Sequence, residues 1–172
     1  SQNIVKEEVD KLADFKVGNG SAVVLDPKNG DILAMVGSKE YFAKDYDGQV
    51  NVAVSLRQPG SALKPFIYAA AFKKDFTDKT IVVDEFTNFG VWGDKEYIPQ
   101  NYDGLFRGPV TLRQALAQSL NVPSVKVLND LAGLNDTIET AKKMGITTLT
   151  QPPSFYGLSI VLGGGEVKLL DM

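Results

Sequence analysis

The chain has no histidine and no cysteine. The first absence rules out a Ser-His-Asp triad, an imidazole general base and His-ligated zinc within these 172 residues. The second rules out a thiolate nucleophile and a disulfide framework, and is compatible with either side of a membrane. No apolar run approaches the roughly 18–20 residues needed to span a bilayer. The opening SQNIVKEEVDKL is charged and amphipathic, unlike a secretory signal. Lysine and arginine total 18 against 21 acidic residues, a net charge of −3, so there is no basic footprint for nucleic acid. What remains is ordinary globular composition, 44% hydrophobic and 23% charged, enough for one domain or part of one. If a serine is activated here, lysine is the leading candidate for its base.

The pattern along the chain is mixed. Ile4, Val5, Val9, Leu12 and Phe15 recur at helical spacing, and residues 16–20 read as a break. Two apolar runs, 22–25 and 32–36, flank DPKNGD and predict a β-hairpin, with Pro27 and Asn29-Gly30 supplying the turn. Asp26, Asn29 and Asp31 read as turn formers, because the twelve-residue calcium-loop pattern is missing. An alanine-rich helix follows Pro59-Gly60, over about 60–74, with Pro65 in its first turn. Residues 75–109 read as a long loop rich in aromatics, glycine and proline. The helical region spans 111–172. Thr111 caps its first helix, Asn121-Val122-Pro123 interrupts it, and Gly133 ends a further one. Another helix is capped by Asn135 or Asp136 and closed by Gly145.

Two short motifs carry chemistry. Ser61-Ala62-Leu63-Lys64 spaces a hydroxyl and an amine by three residues, which puts them on one helix face. A serine hydroxyl is a weak nucleophile until its proton is removed. Lysine can remove it only when neutral, and burial in the apolar run 65–72 favours the neutral form. A helix N-terminus also places backbone N–H groups near a developing oxyanion. Chance alone yields S-x-x-K in roughly half of chains this long, so the spacing needs its context. The second motif is Ser119-Leu120-Asn121 at a helix–loop junction. The hydroxyl could relay a proton and the carboxamide could bind a substrate amide. A helix C-cap is the plainer reading of Asn121. Gly163, Gly164 and Gly165 read as close backbone packing, since no P-loop lysine and serine follow. Trp92, Tyr97 and Tyr102 read as core or loop packing, with a ligand groove the alternative. Arg57 and Gln58 read as shaping the turn before Ser61.

Together the two motifs resemble the serine acyltransferases that include penicillin-binding proteins and serine β-lactamases, whose pattern is S-x-x-K, then S-x-N or S-D-N, then K-T-G or K-S-G. The strings RQPGSALKPFIYAAA, NYDGLFRGPVTLRQALAQSLNVPSVKV and YGLSIVLGGGEVKLLDM resemble the transpeptidase domain of class A penicillin-binding proteins, from about Gly20 to Met172. The resemblance implies an α+β fold in which a five-stranded antiparallel sheet is flanked by helices. Residues 1–172 are expected to form part of that domain: a hairpin over about 21–37, the first two sheet strands, and a mainly helical lobe. It also implies Ser61 as the acylated nucleophile, Lys64 as its base, Ser119 as a proton relay and Asn121 as a substrate-amide holder. Cofactors and metals are not expected.

The implied substrates are peptidoglycan stem peptides ending in D-Ala-D-Ala, with β-lactam antibiotics as covalent mimics. The implied parent chain carries an upstream glycosyltransferase module and works on the extracytoplasmic face of the bacterial cytoplasmic membrane, with its anchor absent from this chain. One departure stands out. Lys79-Thr80 is followed by Ile81, and Lys143-Met144-Gly145 has the wrong middle residue, so the third motif is missing. In the family it lies downstream of GGGEV, so the chain reads as truncated, inactive alone, and exposing a sheet edge open to self-association. The competing readings are a D,D-carboxypeptidase or serine β-lactamase of the same superfamily, with Glu166 open as a deacylating base, and a penicillin-sensing domain without turnover.

Overall fold

A computed structural model describes residues 1–43, 48–92 and 94–172, without the side chain of Trp92. It is α+β, as expected, and divides into two compact units, Ser1–Arg57 with Glu166–Met172, and Gln58–Gly165. The first unit holds helix α1 (Gln2–Lys11) and strands β1 (Ala22–Leu25) and β2 (Ile32–Val36). The strands pair antiparallel, with Ala22 opposite Val36 and Val24 opposite Ala34. Their turn consumes its own polar groups. Asp26 accepts from the Lys28 amide at 2.9 Å, and Asn29 accepts from the Asp31 amide at 3.1 Å. Gly30 takes φ +79°, the conformation that favours glycine. Arg57 and Val167 exchange two backbone hydrogen bonds of 2.9 Å, which ties the chain's last residues into this unit.

The second unit is built around α2 (Lys64–Phe72), whose Ile67, Tyr68, Ala70 and Ala71 are buried. A tight 3-10 turn, Gly60–Leu63, leads into it. Proline at the first turn costs no hydrogen bond, because those amides have no partner inside the helix. The stretch expected as a long loop contains short strands: β3 (Ile81–Asp84), β4 (Val91–Trp92) and β5 (Lys95–Glu96). β4 pairs with β5, while β3 pairs antiparallel with β6 (Gly108–Thr111). Sequence periodicity misses the β3–β6 pairing, because it acts across more than twenty residues and four-residue strands carry little pattern.

Thr111 then caps α3 (Leu112–Ala117) with a full capping box, its hydroxyl accepting from the Gln114 amide at 3.2 Å. α4 (Asn121–Lys126) widens into a π-helical segment, Val127–Ala132, which ends at Gly133 as expected. α5 (Leu134–Lys143) is capped by Gly133 itself, without a side-chain cap from Asn135 or Asp136. Asp136 lies inside its first turn and pairs with Lys74 at 2.6 Å, and that ammonium holds its carboxyl below the usual range. A four-residue α6 (Pro153–Tyr156) and a 3-10 segment, Gly157–Leu162, complete the unit.

α2 packs on α5, on the π-helical segment and on α3. The core they share includes Ile67, Leu112, Val122, Val125, Leu128 and Ile160, all at or below 1% exposure. Each such side chain is worth about 1.5–3 kcal/mol of transfer free energy. Within this core the Tyr68 hydroxyl lies 3.0 Å from Ser124 Oγ, and Ser124 donates to the Leu120 carbonyl at 2.6 Å. Burial pushes the Tyr68 phenol up to about 12. Tyr68→Phe is expected to destabilise the protein by about 1 kcal/mol, since Ser124 keeps its bond to Leu120. Urea denaturation measures it.

Candidate active site

The site is assembled by two junctions, each at the end of a helix. The first is the turn before α2. Gly60 has φ +57°, and Ser61 follows it, exposed to solvent. The Ser61 carbonyl accepts from the Lys64 amide, closing the turn, while its hydroxyl makes no hydrogen bond among the described residues. Behind this turn lies Gly163, also at positive φ. A Cβ there would sit 2.6 Å from the Cα of Gly60 and closer still to its nitrogen. Gly164 lies equally tight on Ser159, and Gly165 somewhat less tightly on the side chains of Leu149 and Tyr156. The glycine triplet is thus close backbone packing, and it buttresses the segment that presents Ser61.

The second junction joins α3 to α4. The Leu120 amide reaches back to the Ala115 carbonyl and the Ser119 amide to Leu116, both at 2.9 Å. This is a Schellman ending, whose left-handed position glycine usually fills. Here Ser119 fills it, at φ +53°. Asn121 is therefore not the helix C-cap that its position suggested. It is the first residue of the next helix, and Pro123, two residues on, sits in that helix's first turn rather than simply stopping the previous one.

The structure brings Lys64, Ser119 and Asn121 together. Lys64 is 1% exposed. Its Nζ donates to the Ser119 carbonyl at 2.7 Å and to Asn121 Oδ1 at 2.8 Å, and lies 3.2 Å from Ser119 Oγ. Burial pushes the amine down to about 8. Among the described residues no carboxylate offsets that effect. All three partners are neutral oxygens, which hold the amine without strongly favouring its charged form. A neutral amine has two N–H donors and one lone pair. Two carbonyl oxygens satisfy the donors, which leaves the lone pair for a hydroxyl proton. Ser61 stands on the same helical turn as Lys64 but outside this set of hydrogen bonds.

Sequence reasoning missed the residues that hold Asn121. Its side-chain amide donates to the Gln100 carbonyl at 2.8 Å, and its backbone amide to Asn101 Oδ1 at 2.8 Å. Asn101 is in turn held by the fully buried carboxylate of Asp84. The only available signal was the polar string NYDG inside a stretch read as loop. A groove beside Ser119 is lined by Asn101, Tyr102, Asp103, Arg107 and Gln118. Tyr102 is fully exposed, so it is not a core residue. Tyr97 packs near Phe89, ring centres 6.2 Å apart, and its buried hydroxyl lacks a partner among the described residues. The Trp92 ring, read with these two, lies outside the described residues.

Residues 20–155 match the model of the penicillin binding protein transpeptidase domain. This chain belongs to the penicillin-binding protein transpeptidase family. It is 34% identical over 174 residues to penicillin-binding protein 2D of Bacillus subtilis, covering all of this chain and 24% of that protein. It is 38% identical over 154 residues to penicillin-binding protein 1A of Aquifex aeolicus, covering 89% and 20% respectively. The crystal structure of penicillin-binding protein 1A from Haemophilus influenzae superposes with a TM-score of 0.77 at 31% identity, over 89% of this chain and 22% of that one. The chain thus spans about a quarter or less of the proteins it matches. The family is the one that the sequence strings resemble.

The backbone at Ser119 yields a test independent of chemistry. Ser119→Gly and Ser119→Ala both remove the hydroxyl, but only glycine is at ease at positive φ. The glycine variant is expected to be the more stable by about 1 kcal/mol. Thermal denaturation of the two variants side by side gives the difference.

Proposed function

We propose that this chain supplies the nucleophile and the base of a D-Ala-D-Ala transpeptidase that crosslinks peptidoglycan stem peptides and is acylated by penicillin. The observation that carries the reading is the buried Lys64 amine, three residues after an exposed Ser61 and hydrogen-bonded to Ser119 and Asn121 of the second motif. In this reading the Ser61 oxygen attacks the carbonyl of the penultimate D-Ala, and its proton passes to neutral Lys64. The tetrahedral intermediate collapses and terminal D-Ala leaves, its amine taking a proton through Ser119. An amine of a neighbouring stem peptide then attacks the acyl ester and frees Ser61. Asn121 holds the amide of the donor peptide or of the drug. The β-lactam ring opens by the same attack but keeps its leaving group tethered, so the ester persists. The whole protein would work on the extracytoplasmic face of the bacterial membrane, beside a glycosyltransferase module. Among the described residues no helix is long and apolar enough to cross a membrane.

Two outcomes test this. At pH 7 a lysine with a pKa of about 8 is neutral in roughly a tenth of molecules. The acylation rate of the full-length protein by a fluorescent penicillin should therefore rise with pH through about 8. Ser61→Ala should take no label, and mass spectrometry of the intact protein would detect any adduct elsewhere. The second concerns the missing K-T-G or K-S-G. That motif supplies one wall of the family's cleft, so the 172-residue chain alone is expected to acylate far more slowly than the complete domain. Equal rates of labelling would refute that dependence.

A further inference from the structure

We infer that Asn101, clamped by the buried carboxylate of Asp84, is a positioning residue that sets the Ser119-Leu120-Asn121 segment against Lys64. The first amides of any helix lack partners within it. In α4 the third residue is Pro123, which has no N–H. The two amides before it, of Asn121 and Val122, both point at Asn101 Oδ1, at 2.8 and 3.4 Å. One carboxamide oxygen thus serves the start of the helix. The side chain of Asn121 is held from the same place, by the carbonyl of the adjacent Gln100 at 2.8 Å. Residues 100 and 101 therefore fix both the backbone and the side chain of the residue whose Oδ1 accepts from Lys64.

An asparagine can turn its amide either way round, and only one way leaves the oxygen facing α4. Asp84 decides it. The carboxylate has no donors, so it can face only the NH2 side. Asn101 Nδ2 lies 2.9 and 2.8 Å from the two carboxylate oxygens, and 2.8 Å from the Leu105 carbonyl. Asp84 stands at the end of β3, fully buried, and receives the Arg107 amide at 3.1 Å with the Arg107 guanidinium 4.0 Å away. That guanidinium is itself paired with Asp103 at 2.6 Å and donates to Gln118 at 3.0 Å. The line from strand to site is thus Asp84, Asn101, Asn121, Lys64. Asp84 acts along it by orientation rather than by its field, since burial is what lowers the amine.

The inference rests on the acylation reading above. Its test is the pH dependence of acylation in the full-length protein carrying Asn101→Ala, labelled with fluorescent penicillin. A released segment would admit water to the amine and remove Asn121 Oδ1 from it. The midpoint near 8 should then move up toward the ordinary lysine value of 10.5. Each unit of that rise removes about tenfold of the neutral amine at pH 7, so the rate there should fall at least tenfold. Asn101→Ser keeps a small polar group beside Asp84 and replaces the alanine variant if that fails to fold. It should move both quantities in the same direction. A folded variant with an unchanged midpoint overturns the inference whether its rate is kept or lost, because a merely structural residue would lower the rate without moving the midpoint. A wild-type protein that takes no label would fell the acylation reading, and this inference with it. A labelled wild type with an unaltered variant fells only this one.

Discussion

The placement of one amine governs the architecture of the second unit. As the base of the proposed acylation, Lys64 must be dry enough to be neutral part of the time, yet every hydrogen of a buried amine needs an acceptor. A carboxylate would satisfy the hydrogens but hold the charge. Neutral oxygens satisfy them and leave burial to act, and three converge here from a single junction between helices. The unit can be read outward from this requirement. α2 carries the amine into the core, the junction of α3 and α4 delivers the oxygens, and the π-helical segment and α5 pack on α2.

The same logic explains why the two motifs lie at helix ends. Inside a helix the Ser119 carbonyl would be taken by its own hydrogen-bond ladder. Beyond the end of α3 it is free to accept from Lys64. Asn121 stands where a new helix begins, so its carboxamide is free to reach outward. The turn of Ser61 is likewise outside the regular α-helix, and the left-handed Gly60 with Gly163 packed behind it gives that turn a backbone on which no side chain intrudes.

What the sequence revealed follows from how local each feature is. The hairpin was legible, down to strands at 22–25 and 32–36, because two apolar runs and a turn with Asn-Gly lie within one short window. The capping box at Thr111 and the end of a helix at Gly133 were legible for the same reason. The Ser61 and Lys64 pair was suggested by spacing, and the absence of histidine narrowed the choice of base. Asn101 was not legible. Its partners Asp84 and Asn121 lie 17 and 20 residues away, in elements whose pairing no periodicity announces. The left-handed backbone of Ser119 is not legible either, because nothing in Ser-Leu-Asn signals a Schellman ending where glycine is absent.

That substitution for glycine shows where the local rules were set aside. A serine at positive φ costs of order 1 kcal/mol, and it persists only where the surroundings determine it from both sides. They do so here. From one side, two amides return to the carbonyls of α3. From the other, Asn101 fixes the first amides of α4. The anchored amides on the α3 side are those of Ser119 and Leu120, and Leu120 is buried. The chain must reverse at Ser119, and glycine would reverse it more cheaply. Serine instead puts both its carbonyl and its hydroxyl on Lys64, a second contact that glycine cannot make. The strain at this residue and the clamp at Asn101 are therefore parts of one device: the clamp holds the turn that the side chain disfavours, and the side chain is the one the buried amine can use.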